Sequence, residues 1–227
     1  VKLAKSGFVR IPSDTLIPNL DVPEEELASF INSWNDLSSD TYMADGGDYR
    51  LRRHATFSAA RSGGPVQLEQ HQPHYQTTNY NSLNGGVKRH FAPVKHETVE
   101  NLALKAILTF CSRTFGSLSP LNDWHIELHQ FRILAKENAG KPTPEGVHQD
   151  GVDFVMMSLI SRESVIDGET RVHDLNGNEV ARFTLTKPME TVLVNDRRVA
   201  HGVTPILPAK VGVSGYRDML VVTFKRK

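Results

Sequence analysis

Three side chains in this 227-residue chain have the types and spacing to hold one metal ion. His148 and Asp150 stand at i and i+2 in His148-Gln149-Asp150. On an extended segment alternate side chains point to the same face, so both donors can reach a single ion. His201 follows 51 residues after Asp150, room for about four short strands. Two imidazoles and one carboxylate fill one face of an octahedron and leave three positions open, the arrangement of non-haem iron(II) centres that handle oxygen. Chance alone supplies roughly 0.6 His-x-Asp matches in a chain of this composition, so the pair gains weight only from its setting.

That setting is informative. His148 follows a Pro/Gly-rich entry, Lys141 to Gly146, and precedes an apolar stretch that begins at Phe154. His201 lies in Val199-Ala200-His201-Gly202-Val203, where an unpaired polar ring among small apolar residues is costly unless something binds it. A core histidine bonded to backbone is the competing reading. Arg217 opens the last apolar stretch, Arg217 to Phe224, 16 residues after His201. A guanidinium there can fork onto a carboxylate inside a barrel; equally, it can be a sheet-end arginine paired to Asp218 or to solvent.

The elements that must position these groups follow from periodicity and turn chemistry. Residues 21–37 predict a helix: Asp21 and Glu24 have capping-box spacing, Pro23 suits a first turn, and Leu27, Phe30, Ile31 and Trp34 form an apolar stripe. Residues 98–115 predict a longer helix with Val99, Leu102, Ala103, Ala106, Ile107 and Phe110 on one face. Between them, residues 45–97 are loop-rich and punctuated by glycine pairs, with a strand expected over Tyr49 to Phe57. The polar stretch from His74 to Gly86 suits a surface loop or a lid, and would place Tyr80 and Asn81 over a site.

From Trp124 onward the pattern changes to about eight short strands separated by turn signals such as Asp167-Gly168, Asn176-Gly177 and Lys187-Pro188. The expected architecture is mainly β with flanking helices: one domain over 1–227, with helical and loop-rich support in 1–123 and a jelly-roll, cupin-like core (a double-stranded β-helix) in 124–227. Along Trp124–Leu134, Gln130 and Arg132 share a face with Ile126 and Leu128, while His125, Glu127 and His129 share the other. Alternation does not say which face looks inward; polar groups among apolar neighbours suit a cavity wall, so Gln130 and Arg132, with Tyr80 and Asn81 on the lid, are the candidate substrate contacts, and ordinary structural hydrogen bonding is the competing reading for all four.

Composition bounds the function. Lys+Arg and Asp+Glu each total 26, so the formal charge is zero and no basic excess supports a nucleic-acid partner. The single cysteine, Cys111, excludes a disulfide framework within the chain and thiolate-rich zinc sites. No apolar run approaches membrane-spanning length, and the expectation is a cytoplasmic protein with no membrane partner. The chain opens on Val1, which leaves room for a removed start residue or leader.

The sequence resembles the 2-oxoglutarate/iron(II) dioxygenase superfamily, and within it the bacterial group of free L-amino-acid hydroxylases typified by L-isoleucine 4-hydroxylase. The stretches that carry the resemblance are Pro144 to Phe154, Asn195 to Ile206 and Gly215 to Asp218, with Tyr80-Asn81, Leu83, Gly85-Gly86 and His129 to Arg132 upstream. The resemblance implies His148, Asp150 and His201 as ligands of Fe(II), and Arg217 as partner of the distal carboxylate of 2-oxoglutarate. The gap from His201 to Arg217 is somewhat longer than is common, and the loop from Leu207 to Gly215 can absorb it. The implied activity is hydroxylation of a small molecule, a free L-amino acid, using O2 and releasing succinate and CO2. Two other classes stand beside it: a cupin-type metalloenzyme that does not use 2-oxoglutarate, and a non-catalytic binding or signalling module that retains the fold.

Overall fold

The computed structural model describes residues 2–227. Five helices and thirteen strands are present among them. The helices are α1 (Lys2–Ser6), α2 (Ser13–Leu20), α3 (Glu24–Asn32), α4 (His96–Glu100) and α5 (Leu102–Leu118). The strands are β1 (Phe8–Ile11), β2 (Ser38–Ser39), β3 (Arg50–Ala59), β4 (Val66–Leu68), β5 (Trp124–Ala135), β6 (Phe154–Glu163), β7 (Val165–Asp167), β8 (Thr170–Asp174), β9 (Glu179–Phe183), β10 (Thr191–Asn195), β11 (Val199–Val203), β12 (Ile206–Pro208) and β13 (Gly215–Arg226).

The large sheet runs β1-β10-β6-β13-β5-β3-β2, with β4 added on β3. A smaller sheet, β11-β8-β9, and a ribbon, β12-β7, complete the jelly roll. Both faces of the large sheet are covered, which is why β6 reads as a nearly unbroken apolar run. Its alternation still sorts the side chains. Phe154, Met156 and Ile160 join the core beneath the helices, whereas Val155, Met157 and Leu159 join Val172 and Val199 between the two sheets. On the helix side, α3 and α5 bury Phe30, Leu104, Ile107, Cys111 and Phe115 against the sheet. Phe115 stacks on Phe154 with ring centroids 4.8 Å apart. Trp34 is also buried there and donates its indole N–H to the Phe131 carbonyl at 3.1 Å.

Several boundaries differ from the sequence reading. The helix expected over 21–37 is α3 followed by a 3-10 turn over Ser33–Asp36. Asp21 caps nothing at its start; it ends α2, a helix the periodicity missed, in the left-handed region at φ 50°. The helix expected over 98–115 is broken at Asn101, whose side chain accepts from the amides of Ala103 and Leu104 and so starts α5 as its N-cap. Leu102 is therefore exposed rather than on the apolar face. A support layer ending at residue 123 does not describe the sheet: β3 pairs with β5 from Trp124 to Ile133, and β1 pairs with β10, so the core draws strands from both halves of the chain. Sequence-distant pairing of this kind leaves no local signal. No helix of the described residues is long and apolar enough to cross a membrane.

Because Phe115 is fully buried against Phe154 and Phe224, Phe115→Ala is expected to lower the unfolding free energy by about 3–5 kcal/mol. Urea denaturation should show the loss as a lower midpoint with an unchanged slope.

Candidate active site

His148 and Asp150 lie between β5 and β6, outside any regular strand. The expected strand is replaced by a single antiparallel bridge: the His148 amide donates to the His201 carbonyl at 2.9 Å, and the His201 amide donates back at 2.8 Å. This exchange sets the two imidazoles side by side with ring centroids 5.0 Å apart. Asp150 closes the group. Its Oδ1 lies 3.4 Å from His148 Nε2 and its Oδ2 lies 3.3 Å from His201 Nε2. The three donor atoms lie within 4.8 Å of one another.

The loop that carries Asp150 is held by Asp196. The Asp196 carboxylate accepts from the backbone amides of Asp150, Gly151 and Val152 at 3.0, 2.8 and 3.1 Å. Gly151 is needed here on two counts. Its φ is 78°, and a Cβ would sit 2.5 Å from the Tyr80 ring. Tyr80 thus lies against the loop, and Gln76 reaches the Asp150 carbonyl with its side-chain amide at 3.3 Å. Asn81 is buried and bonds Gln76 and the Asn84 amide, so it shapes the lid from within.

The chemistry of the donor set fits a divalent metal. His201 is almost fully buried, yet neither ring nitrogen makes a hydrogen bond, and its contact with Asp150 lacks hydrogen-bond geometry. A buried imidazole without a partner costs free energy unless a ligand such as a metal occupies it. Burial opposes ionisation of Asp150, but the His148 and His201 rings close to its two oxygens hold its carboxyl well below the usual carboxylate range. His148 is oriented by its Nδ1–H, which donates to the Gly146 carbonyl at 3.1 Å and leaves Nε2 free to ligate.

Arg217 resolves its two sequence readings. Asp218 does not pair with it. The Asp218 carboxylate points to the other face of β13 and accepts two bonds of 2.7 Å from Arg132. Arg217 is 2 % exposed, its Nε has no partner, and the neighbouring charge that bears on it is another cation, Arg162. Burial, with Arg162, pushes it down to about 10. It lines a cavity of about 110 Å³ between the sheets together with Asp150, His201, Thr170, Met219 and Val221. One cavity thus holds a buried guanidinium without a carboxylate and an unpaired imidazole, a setting whose charge suits an anion.

A second cavity of about 250 Å³ opens on the other side of Asp150, lined by Tyr80, Asn81, Gln76, Arg89, Glu127 and His129 among others. Gln130 and Arg132 do not line it, a correction to the sequence reading. The apolar residues beside them, Ile126 and Leu128, face the helices, and Gln130 and Arg132 continue that face. Gln130 donates to Ser33 Oγ at 2.9 Å, and Arg132 is bound to Asp218. The cavity wall is the opposite face, His125, Glu127, His129 and Phe131. A legible signal existed in His125-x-Glu127-x-His129, three titratable groups in a row on one face of a strand. Burial drives His129 well below its usual range, helped by Arg52, which donates to its Nδ1 at 2.7 Å. Burial opposes ionisation of Glu127, but the His74 hydrogen bond and the nearby His125 and His129 rings hold it far below the usual carboxylate range.

Fold and site together define a non-haem iron oxygenase. The model of the 2OG-Fe dioxygenase family matches residues 31–223, and the chain belongs to that family. It is therefore a 2-oxoglutarate-dependent non-haem iron dioxygenase that uses Fe(II), 2-oxoglutarate and O2. It is 26% identical to L-isoleucine-4-hydroxylase of Bacillus thuringiensis, over 97% of this chain and 91% of the relative. It is 23% identical to 3(1)-hydroxy-L-isoleucine 4-dioxygenase of Pantoea ananatis, over 99% and 94%. Among solved structures, a bsmA homolog from Methylobium petroleophilum is 36% identical, with a TM-score of 0.84, coverage of 99% of this chain and 90% of that one. The structure of IDO from Bacillus thuringiensis has the same fold, at TM-score 0.81 and 20% identity, covering 100% of this chain and 96% of that one.

Asp196 touches no metal position but fixes the backbone that carries Asp150. Asp196→Ala is expected to weaken iron(II) binding about 10- to 100-fold, as measured by anaerobic titration.

Proposed function

We propose that this enzyme hydroxylates a free L-amino acid, with His148, Asp150 and His201 as the iron ligands and Arg217 as the receptor for the distal carboxylate of 2-oxoglutarate. The observation that carries the reading is the shared cavity: an unpaired buried imidazole and the Asp150 carboxylate at one end, an unpaired buried guanidinium at the other. A dicarboxylate spanning these ends satisfies both. The relatives support the substrate class, since the names of the two curated ones specify hydroxylation or dioxygenation at position 4 of isoleucine or a hydroxyisoleucine.

When bound, iron(II) supplies the oxygen chemistry that couples loss of CO2 from 2-oxoglutarate, leaving succinate, to insertion of one oxygen atom into a substrate C–H bond. The protein's own residues do the rest. His148, Asp150 and His201 would hold the iron with two imidazole nitrogens and a carboxylate oxygen, a three-donor set that would leave it able to take further ligands. Arg217 orients the cosubstrate by a charge-assisted fork, and Met219 and Val221 wall its carbon chain away from water. Tyr80 and Gln76 hold the lid segment against the Asp150 loop, so substrate in the neighbouring cavity is enclosed beside the metal.

Anaerobic reconstitution with iron(II), followed by oxygen, 2-oxoglutarate and a panel of free L-amino acids, tests the reading. Succinate release with a one-oxygen mass gain in one of them is the expected result. His148→Ala is expected to abolish iron binding and turnover together. Arg217→Ala is expected to raise the KM for 2-oxoglutarate about 10- to 100-fold while iron affinity stays within about twofold. Unchanged 2-oxoglutarate affinity in that variant removes the Arg217 assignment.

A further inference from the structure

The larger cavity holds a second unmatched pair of charges. Arg89 is 2 % exposed, and its Nε has no partner. Its backbone exchanges hydrogen bonds with His74 at 2.9 and 3.0 Å, and its Nη2 donates to Gln76 Oε1 at 2.9 Å. Gln76 in turn holds the Asp150 carbonyl, so Arg89 is fixed one side chain away from the metal-ligand loop. Among the described residues no carboxylate lies within ion-pair distance of Arg89. The other two buried arginines of the cavity are already engaged. Arg50 binds Asp40 at 2.7 Å, and Arg52 binds Asp40 and His129 and lies 3.5 Å from the centre of the Phe91 ring.

Glu127 is the complementary case. Its side chain is 14 % exposed and faces the same cavity. One oxygen accepts from His74 Nδ1–H at 2.5 Å. The other has only His125 and His54 ring nitrogens near it, at 3.5 and 3.9 Å, too far for good hydrogen bonds. A cation without an anion and an anion without a cation thus line one enclosed space of about 250 Å³ that also contains Asp150.

We propose that Arg89 and Glu127 are the two poles of the substrate site: the Arg89 guanidinium receives the α-carboxylate and the Glu127 carboxylate receives the α-ammonium of a zwitterionic amino acid. This rests on the free-amino-acid reading above and deepens it. A second metal is the competing use of Glu127, because donor atoms of His54, His74, Glu127 and His129 lie within 4.8 Å of one another. The hydrogen bonding opposes it. Arg52 donates to His129 Nδ1, so the proton of that neutral ring sits on Nε2, the nitrogen nearest Glu127, which then cannot ligate. The adjacent guanidiniums of Arg52 and Arg89 also repel a dication.

The test uses the iron- and 2-oxoglutarate-loaded enzyme, and whichever free L-amino acid of the panel is turned over, beginning with L-isoleucine. That amino acid is compared with its des-amino acid and its primary amide. Wild-type enzyme is expected to bind each analogue about 10- to 100-fold more weakly, the loss of one charge-assisted contact. Glu127→Gln is expected to raise KM for the amino acid by a similar factor, leave the KM for 2-oxoglutarate unchanged, and erase discrimination against the des-amino acid. Arg89→Lys is expected to weaken the amino acid but not the amide. Equal wild-type binding of amino acid and des-amino acid overturns the proposal, and this comparison needs no variant to fold. A second equivalent of metal per chain that disappears in Glu127→Gln also overturns it, in favour of a metal site. If the loaded enzyme turns over no free amino acid, the substrate class itself falls, and the two poles with it.

Discussion

The site depends on one pair of backbone hydrogen bonds, the exchange between His148 and His201. It joins a loop residue to a residue of β11 and bridges two segments that are remote along the chain. Two residues after His148, Asp150 turns back across both rings because Asp196, five residues before His201, gathers the three amides of its loop. The two segments therefore hold each other at three points: the bridge, the carboxylate–amide contacts and the donors themselves. A loop position becomes rigid enough for metal chemistry only through such reciprocal support.

Around this point the fold leaves charges unmatched. Arg217 and Arg89 are buried guanidiniums with unpartnered nitrogens, and His201, in the cavity with Arg217, carries two unpartnered ring nitrogens. Each is unfavourable for the folded chain alone. Clustered at the walls of two cavities that meet at Asp150, they describe a site built for ligands that bring the missing charge. The surroundings absorb this imbalance: Arg132 is neutralised by Asp218, and Arg50 and Arg52 share Asp40, so only selected cations remain open.

Much of this was legible in the chain order. The run from Phe154 to Ile160 and the short strands after it announce a sheet buried on both faces, and His148, Asp150 and His201 stand out by donor type. The face of β5 was not legible. Ile126 and Leu128 invite the view that Gln130 and Arg132 look into a cavity, yet that face meets α5 and the 3-10 turn, where Gln130 binds Ser33. Alternation tells which side chains share a face, but what covers each face is a property of the packed sheets. Asp196 was hidden for a related reason: nothing local distinguishes a carboxylate that binds three amides from one in solvent.

By itself the order of residues determined the jelly-roll class and singled out candidate donors and a candidate anion-binding arginine, because donor chemistry and strand alternation are local properties. The tertiary structure alone decided that His201 meets Asp150, that Arg217 lacks Asp218, that β1 and β3 belong to the core, and that Glu127 rather than Gln130 faces the cavity. These are outcomes of pairing between remote strands. The free energy that selects such pairing is summed over whole faces, and no single stretch of chain records it.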